Sequence, residues 1–198
     1  MSTAPISNET NTTDVTQPRV LHVGCGPHNA RKIDESKFPL SEWKEVRLDI
    51  DESCEPDIVA DICDLSMIES NSFDGLYSSH NIEHLYPHMV PVALQEFHRV
   101  LKPGGIARIC CPDLQIVGKA VAEGNLEGKL FDTPAGPISA IDVLYGFRPK
   151  LREGAYSWAH KTGFIRLTLA QKLKIAGFTE GQVWTRGSEL VADVTKTT

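Results

Sequence analysis

The sequence predicts a doubly wound α/β fold: a seven-stranded, mostly parallel sheet closed at one edge by an antiparallel C-terminal hairpin. Three observations carry this expectation. Five short apolar runs show no period-two alternation, as strands covered on both faces do not. Helical or polar stretches separate those runs, as crossover connections would. Two further runs near the end are divided only by a hairpin-length loop. With 198 residues, 41% of them hydrophobic and 23% charged, the chain is suited to one domain with a substantial core.

The first five runs are Val20 to Gly24, Val46 to Asp49, Ile58 to Ala60, Phe73 to Ser78 and Ile106 to Cys111. Between the fourth and fifth, Val90, Leu94, Phe97 and Leu101 recur at helical spacing, and Pro91 suits a first helical turn. Pro103, Gly104 and Gly105 break that pattern and turn the chain into the next strand. A second helix is expected over roughly Leu167 to Ala176, ending at Gly177-Phe178. The last two runs, Gln182 to Thr185 and Leu190 to Val194, flank the loop Arg186-Gly187-Ser188-Glu189.

Residues 1–18, rich in Ser, Thr and Asn, read as a disordered leader to a domain spanning 19–198. The segment 114–160 is too long for one crossover, and short helices are expected within it at Gln115 to Glu123 and Pro137 to Phe147. Inserted after the fifth strand, it would lie above the carboxyl ends of the sheet, where open α/β folds bind ligands, and reads as a substrate lid.

Composition narrows the function. A formal net charge of −6 argues against electrostatic binding to nucleic acid. No stretch approaches the ~18 consecutive apolar residues of a spanning helix, so no membrane partner is expected. There is no apolar N-terminal run of the secretory kind, and the five cysteines make neither a disulfide framework nor a C-x-x-C pair. A cytoplasmic protein acting on a small molecule fits these features; no pattern specifies an oligomeric state.

Candidate ligand-binding residues fall in series at the ends of strands one to three. Gly24-Cys25-Gly26-Pro27 permits a tight turn and close approach of a ligand to the backbone. Asp49, with Asp51 just beyond, is placed to hydrogen-bond a ribose diol. Asp61-Ile62 offers a carboxylate and an apolar neighbour to an adenine. Singly, each is equally an ordinary turn or a solvated acidic loop.

Val20-Leu21-His22-Val23-Gly24-Cys25-Gly26, Asp49, Asp61-Ile62, the stretch from Phe73 to His84, Leu101-Lys102-Pro103-Gly104-Gly105 and Ala176-Gly177-Phe178 stand in one order. In that order they resemble the class I S-adenosylmethionine-dependent methyltransferases, of the small-molecule, methyltransferase-domain-11-like type. The likeness covers about residues 19 to 196. It implies a Rossmann-like sheet with its last strand antiparallel and S-adenosylmethionine bound across strands one to four. By that likeness Gly24, Cys25 and Gly26 face the donor's amino-acid end, Asp49 and Ile50 its ribose, and Asp61 and Ile62 its adenine. Ser79 and His80 then lie near the methionine amine. Two positions depart from the pattern: His22 stands where the family usually has an acid, and His28 where it often has a third glycine.

Methyl transfer to oxygen or nitrogen requires loss of a proton, which a histidine can accept. His80 and His84 follow the fourth strand, and His160 closes the insertion, so these three are the candidate catalytic residues. Residues 42–83 hold twelve acids, whereas residues 143–174 hold seven bases and only Glu153 as an acid. Arg148, Lys150, Arg152 and Lys161 are thus candidates to attract an anionic small substrate. The Asp/Asn-Pro-Pro-aromatic pattern of base-amino methyltransferases is absent.

Other readings remain. His80-Asn81-Ile82-Glu83-His84 matches H-x-x-E-H, a zinc-hydrolase pattern if helical, but the strand before it and Pro87 after it leave little room for such a helix, and no metal is expected. A nicotinamide dehydrogenase would want a small residue where Asn29 stands. A non-catalytic S-adenosylmethionine or nucleoside-binding relative would keep the donor site without transfer.

Overall fold

The computed structural model describes residues 17–28 and 33–197. Its strands are β1 (Arg19–Val23), β2 (Lys44–Asp49), β3 (Ile58–Val59), β4 (Phe73–Ser79), β5 (Leu101–Pro112), β6 (Lys129–Thr133), β7 (Gly136–Ser139), β8 (Glu180–Arg186) and β9 (Glu189–Thr195). The helices are α1 (Val90–Val100), α2 (Leu114–Ala122), α3 (Ala140–Tyr145), α4 (Arg148–Arg152) and α5 (Arg166–Ala176). Among the described residues seven strands form one sheet in the order β3-β2-β1-β4-β5-β9-β8. The first five are parallel, and β9 runs antiparallel to both β5 and β8. The expected fold class is therefore the observed one. The expected leader lies outside the described residues, save for its last two.

Alternation along the strands sorts the core onto two faces. Leu21, Val23, Leu48, Leu76, Ile109 and Leu190 face one layer, which α1 covers with Leu94 and Phe97 and α5 with Leu169 and Leu173. Val20, Tyr77, Cys110 and Val191 face the other, where they meet Phe38. No helix lies among the described residues between β1 and β2. The loop 33–43 covers that face instead. Phe38 is fully buried there, edge-on to Trp43 at 5.0 Å. Gly75 leaves room for these rings, since a Cβ there would lie 2.8 Å from each. Arg108 on β5 pins the loop through Asp34 at 2.9 Å and joins Asp193 on β9 at 2.8 Å.

Two expectations need correction. Strand five does not start at Ile106: Leu101 already pairs with Phe73, and the register resumes at Gly75 with Ile106, so residues 102–105 form an irregularity inside β5. Residues 136–139 form β7, paired with β6, and the helix starts only at Ala140. A capping box between Ser139 and Asp142 fixes that start. No helix among the described residues is long and apolar enough to cross a membrane.

Candidate cofactor and acceptor site

The carboxyl ends of β1, β2 and β4 meet at the turn after β1. Gly24 and Gly26 have φ of +61° and +60°, which glycine adopts without strain. The Asp49 carboxylate organises this turn, with Oδ2 accepting from the Gly26 amide at 2.8 Å and Oδ1 from the Asp51 amide at 3.0 Å. Each oxygen keeps a further lone pair for a ligand hydroxyl. Beside it Ile50 is 67% exposed, an apolar surface at the mouth of the site. Asp61 lies exposed beyond β3, its Oδ1 accepting from the Cys63 amide at 2.9 Å, while Ile62 packs against the main core. Cys25 is buried, and burial pushes its thiol up to about 11, so it is an uncharged wall of the turn.

The structure adds roles that no local pattern announced. Asn81 sits where a Gly24 side chain would be: a Cβ on Gly24 would lie 1.8 Å from Asn81 Oδ1. Its Nδ2 donates to the Val23 carbonyl at 2.8 Å and so ties the end of β1 to the end of β4. Arg47 lies buried under the turn, donating to the Gly26 carbonyl and, at 2.9 Å, to His28 Nδ1. The two departures from the resemblance are thereby built in. His28 is an acceptor for Arg47, and His22, fully buried, sets its Nδ1 2.6 Å from Glu45 Oε1, a carboxylate on the neighbouring strand.

The three candidate histidines diverge in environment. His80, with φ of +54°, follows Ser79 at the end of β4; its Nδ1 lies 3.1 Å from Glu83 Oε1 and its Nε2 3.4 Å from Glu189 Oε2. Burial opposes its charge, but the two carboxylates outweigh this and raise the ring to about 9. The two carboxylates thus favour the charged ring. Residues 82–84 make a single 3-10 turn, so His80 and His84 do not share a helical face as the zinc-hydrolase pattern requires. His84 instead meets His160, ring centroids 4.9 Å apart.

The insertion returns onto this turn. The Lys161 and Thr162 amides donate to the Glu83 carbonyl at 2.8 and 3.2 Å. Lys161 Nζ sits 5.1 Å from the Tyr86 ring centre. Arg148 binds Asp142 through Nε at 2.7 Å, and Lys150 pairs with Glu153 at 2.8 Å. Arg152 is exposed and, among the described residues, has no ion-pair partner.

An open sheet with its order reversing beside β1, a glycine turn there and an acid closing β2 define a nucleoside-cofactor fold. Residues 21–109 match the family model described as methyltransferase domain. That match spans less than half of the chain, and the likeness to solved methyltransferases is one of fold. A methyltransferase from Methanosarcina mazei superposes with a TM-score of 0.60 at 17% identity, covering 91% of this chain and 93% of that one. One from Mesorhizobium loti gives 0.59 at 18%, covering 90% and 91%. The 1,6-didemethyltoxoflavin-N1-methyltransferase of Burkholderia thailandensis, with 1,6-didemethyltoxoflavin and S-adenosylhomocysteine bound, gives 0.52 at 17%, covering 91% and 72%. No curated protein matches the sequence.

Proposed function

We propose that this chain methylates a small molecule in the cytoplasm, with residues 114–160 roofing the acceptor. S-adenosylmethionine, the cofactor assigned by this reading, would supply an electrophilic methyl group on a sulfonium sulfur. Gly24, Cys25 and Gly26 would border its amino-acid end and Ser79 and His80 its amine, while Asp49 and Ile50 hold the ribose and Asp61 and Ile62 the adenine. Much of the rate then comes from alignment of acceptor and methyl group.

The observation that carries this reading is the seating of the insertion's end on the turn after β4, through Lys161, Thr162 and the His84–His160 contact. An acceptor held beneath the insertion would lie beside the cofactor's strand ends. His84 and His160 are the side chains placed to meet it; His80, held between Glu83 and Glu189, would serve to hold the turn together. Because Arg148 and Lys150 serve the insertion's own carboxylates, attraction of an anionic acceptor falls to Arg152 and Lys161. The small-molecule ligand of the Burkholderia thailandensis neighbour supports this substrate class.

Calorimetric titration with S-adenosylhomocysteine tests the cofactor half. Micromolar binding is expected, equivalent to about −8 kcal/mol. Asp49→Ala should weaken it more than about tenfold by removing a charged acceptor. Absence of binding to the wild-type chain would overturn the proposal.

A further inference from the structure

We propose that Glu83, His84 and His160 form a binding site for a divalent transition-metal ion, zinc or one of its neighbours, beside the cofactor. One donor atom from each lies within 4.8 Å of the others. Around zinc, bonds of ~2.0–2.1 Å set ligand atoms about 3.3 Å apart, so closure asks for a movement of about an ångström.

Two independent features point at an ion. First, Glu83 is only 1% exposed, and its two oxygens are treated differently. Oε1 faces His80 Nδ1, whereas Oε2 is buried with no hydrogen-bond partner among the described residues. An unsatisfied carboxylate oxygen in the interior is costly unless something cationic meets it. Second, the Nδ1 of each imidazole is engaged by a backbone carbonyl, which leaves Nε2 as the nitrogen for a ligand. His84 Nδ1 lies 3.2 Å from the Ala159 carbonyl and His160 Nδ1 2.7 Å from the Val143 carbonyl. A carbonyl can only accept, so in the neutral rings the proton sits on Nδ1 and Nε2 carries the lone pair. Fixing of the tautomer by a backbone carbonyl is the usual second contact of a ligating histidine.

Two imidazole nitrogens and one carboxylate oxygen suit zinc, cobalt or nickel better than magnesium. Three protein ligands leave a position open. For the methylation reading, on which this last step alone rests, the open position selects an acceptor with an ionisable oxygen or thiol, whose proton a bound ion would make easier to lose. The trio is distinct from the H-x-x-E-H set, since His80 is engaged by Glu83 and Glu189 and its place is taken by His160 from the far end of the insertion.

The test uses the full chain, stripped by chelator, titrated with Co²⁺ and followed by its visible d–d absorption, with Zn²⁺ as competitor and Mg²⁺ as control. Expected is one cobalt per chain with the spectrum of mixed nitrogen and oxygen ligation, displaced by zinc and not by magnesium. His160→Gln and Glu83→Gln should each weaken it more than about tenfold. Folding of each variant is checked by circular dichroism, and His160→Gln, at a partly exposed position, keeps the test valid if Glu83→Gln does not fold. Absence of a stoichiometric cobalt spectrum, or an unchanged one in folded His160→Gln, overturns the site. S-adenosylhomocysteine titration of the same preparation separates the two proposals. Cobalt binding without thioether binding would leave the ion site standing and remove only its link to methylation.

Discussion

Gly24 concentrates two constraints on one residue, a backbone in the left-handed region and a neighbour occupying the space of its missing side chain. Gly24→Ala therefore meets a conformational cost of roughly 1–2 kcal/mol as well as the Asn81 amide. Thermal melts should show a destabilised chain, and S-adenosylhomocysteine affinity should fall more than about tenfold because the turn moves. In an Asn81→Ala background the same substitution should cost less, the coupling expected of residues in contact; equal costs in both backgrounds would show that the amide is not the obstacle. On the insertion, Arg152→Glu should raise KM for an anionic acceptor and leave cofactor affinity unaltered, since Arg152 stands on α4 apart from the strand ends. The glycines and Asp49 were legible in the sequence because a turn between strand and acid has a local signature. Glu189 as a partner of His80 was not, for the two lie far apart in the chain and meet only because β9 pairs with β5. Asn81 was visible as part of a motif, but its insertion into the glycine turn is a fact of three dimensions.

Among the elements, the strands β1, β2, β4, β5 and β9 and the helices α1 and α5 were readable because each buries a run or stripe of apolar residues. What stands between β1 and β2 is different in kind. The loop 33–43 has poor helical periodicity, and it is held by the charged cluster of Asp34, Arg108, Asp193, Arg186 and Lys37 as well as by Phe38. Burial works against the Asp34 charge, but hydrogen bonds from Ser36, Arg186 and Arg108 outweigh it and lower its pKa to about 2. A carboxylate with a depressed folded-state pKa stabilises the fold above its unfolded value of ~3.9, and that contribution disappears as pH falls towards the folded value. Stability of the wild-type chain should thus drop across the window from about 4 down to 2. Asp34→Asn should cost about 2 kcal/mol at pH 7 and flatten this part of the acid limb, as read by urea unfolding at a series of pH values. An acid limb unchanged by the substitution would assign the loop's anchorage to Phe38 alone. The hairpin β6–β7 escaped the sequence for the converse reason. Gly136-Pro137-Ile138-Ser139 is short and only partly buried, although Ser139 and Asp142 carry the capping spacing that marks where the helix begins.

On the scale of the whole molecule, the described residues form three hydrophobic clusters, one on each face of the sheet and one in the insertion. The larger sheet face, covered by α1 and α5, buries phenylalanines, leucines and isoleucines, and the other face buries Phe38 and Tyr77. The insertion buries a separate and smaller set, Val117, Ala120, Ala140 and Val143, flanked by partly exposed Leu130, Phe131 and Ile138. A cluster of that size contributes little by area, so polar anchoring matters more to the insertion than to the sheet. Asp142 is the centre of that anchoring: buried, it accepts from the Ser139 amide at 3.0 Å and from Arg148 Nε at 2.7 Å. Burial opposes its charge, yet Arg148 and Ser139 together hold its carboxyl well below the usual range. Asp142→Asn keeps the shape and removes the charge, at a cost of about 1–3 kcal/mol for a charge-assisted bond. That cost should fall on the insertion alone, because local opening draws on the least stable cooperative unit. Native-state hydrogen exchange should show lost protection in α2, α3 and β6–β7 with β1, β4 and β5 unchanged. S-adenosylhomocysteine affinity should persist, since Asp49 and the Gly24 turn lie wholly outside the insertion. Turnover should fall, for the segment that ends in His160 would no longer be held onto the turn after β4. Equal loss of protection in sheet and insertion would instead make the chain a single cooperative body, and a roof that opens apart from the floor would be untenable.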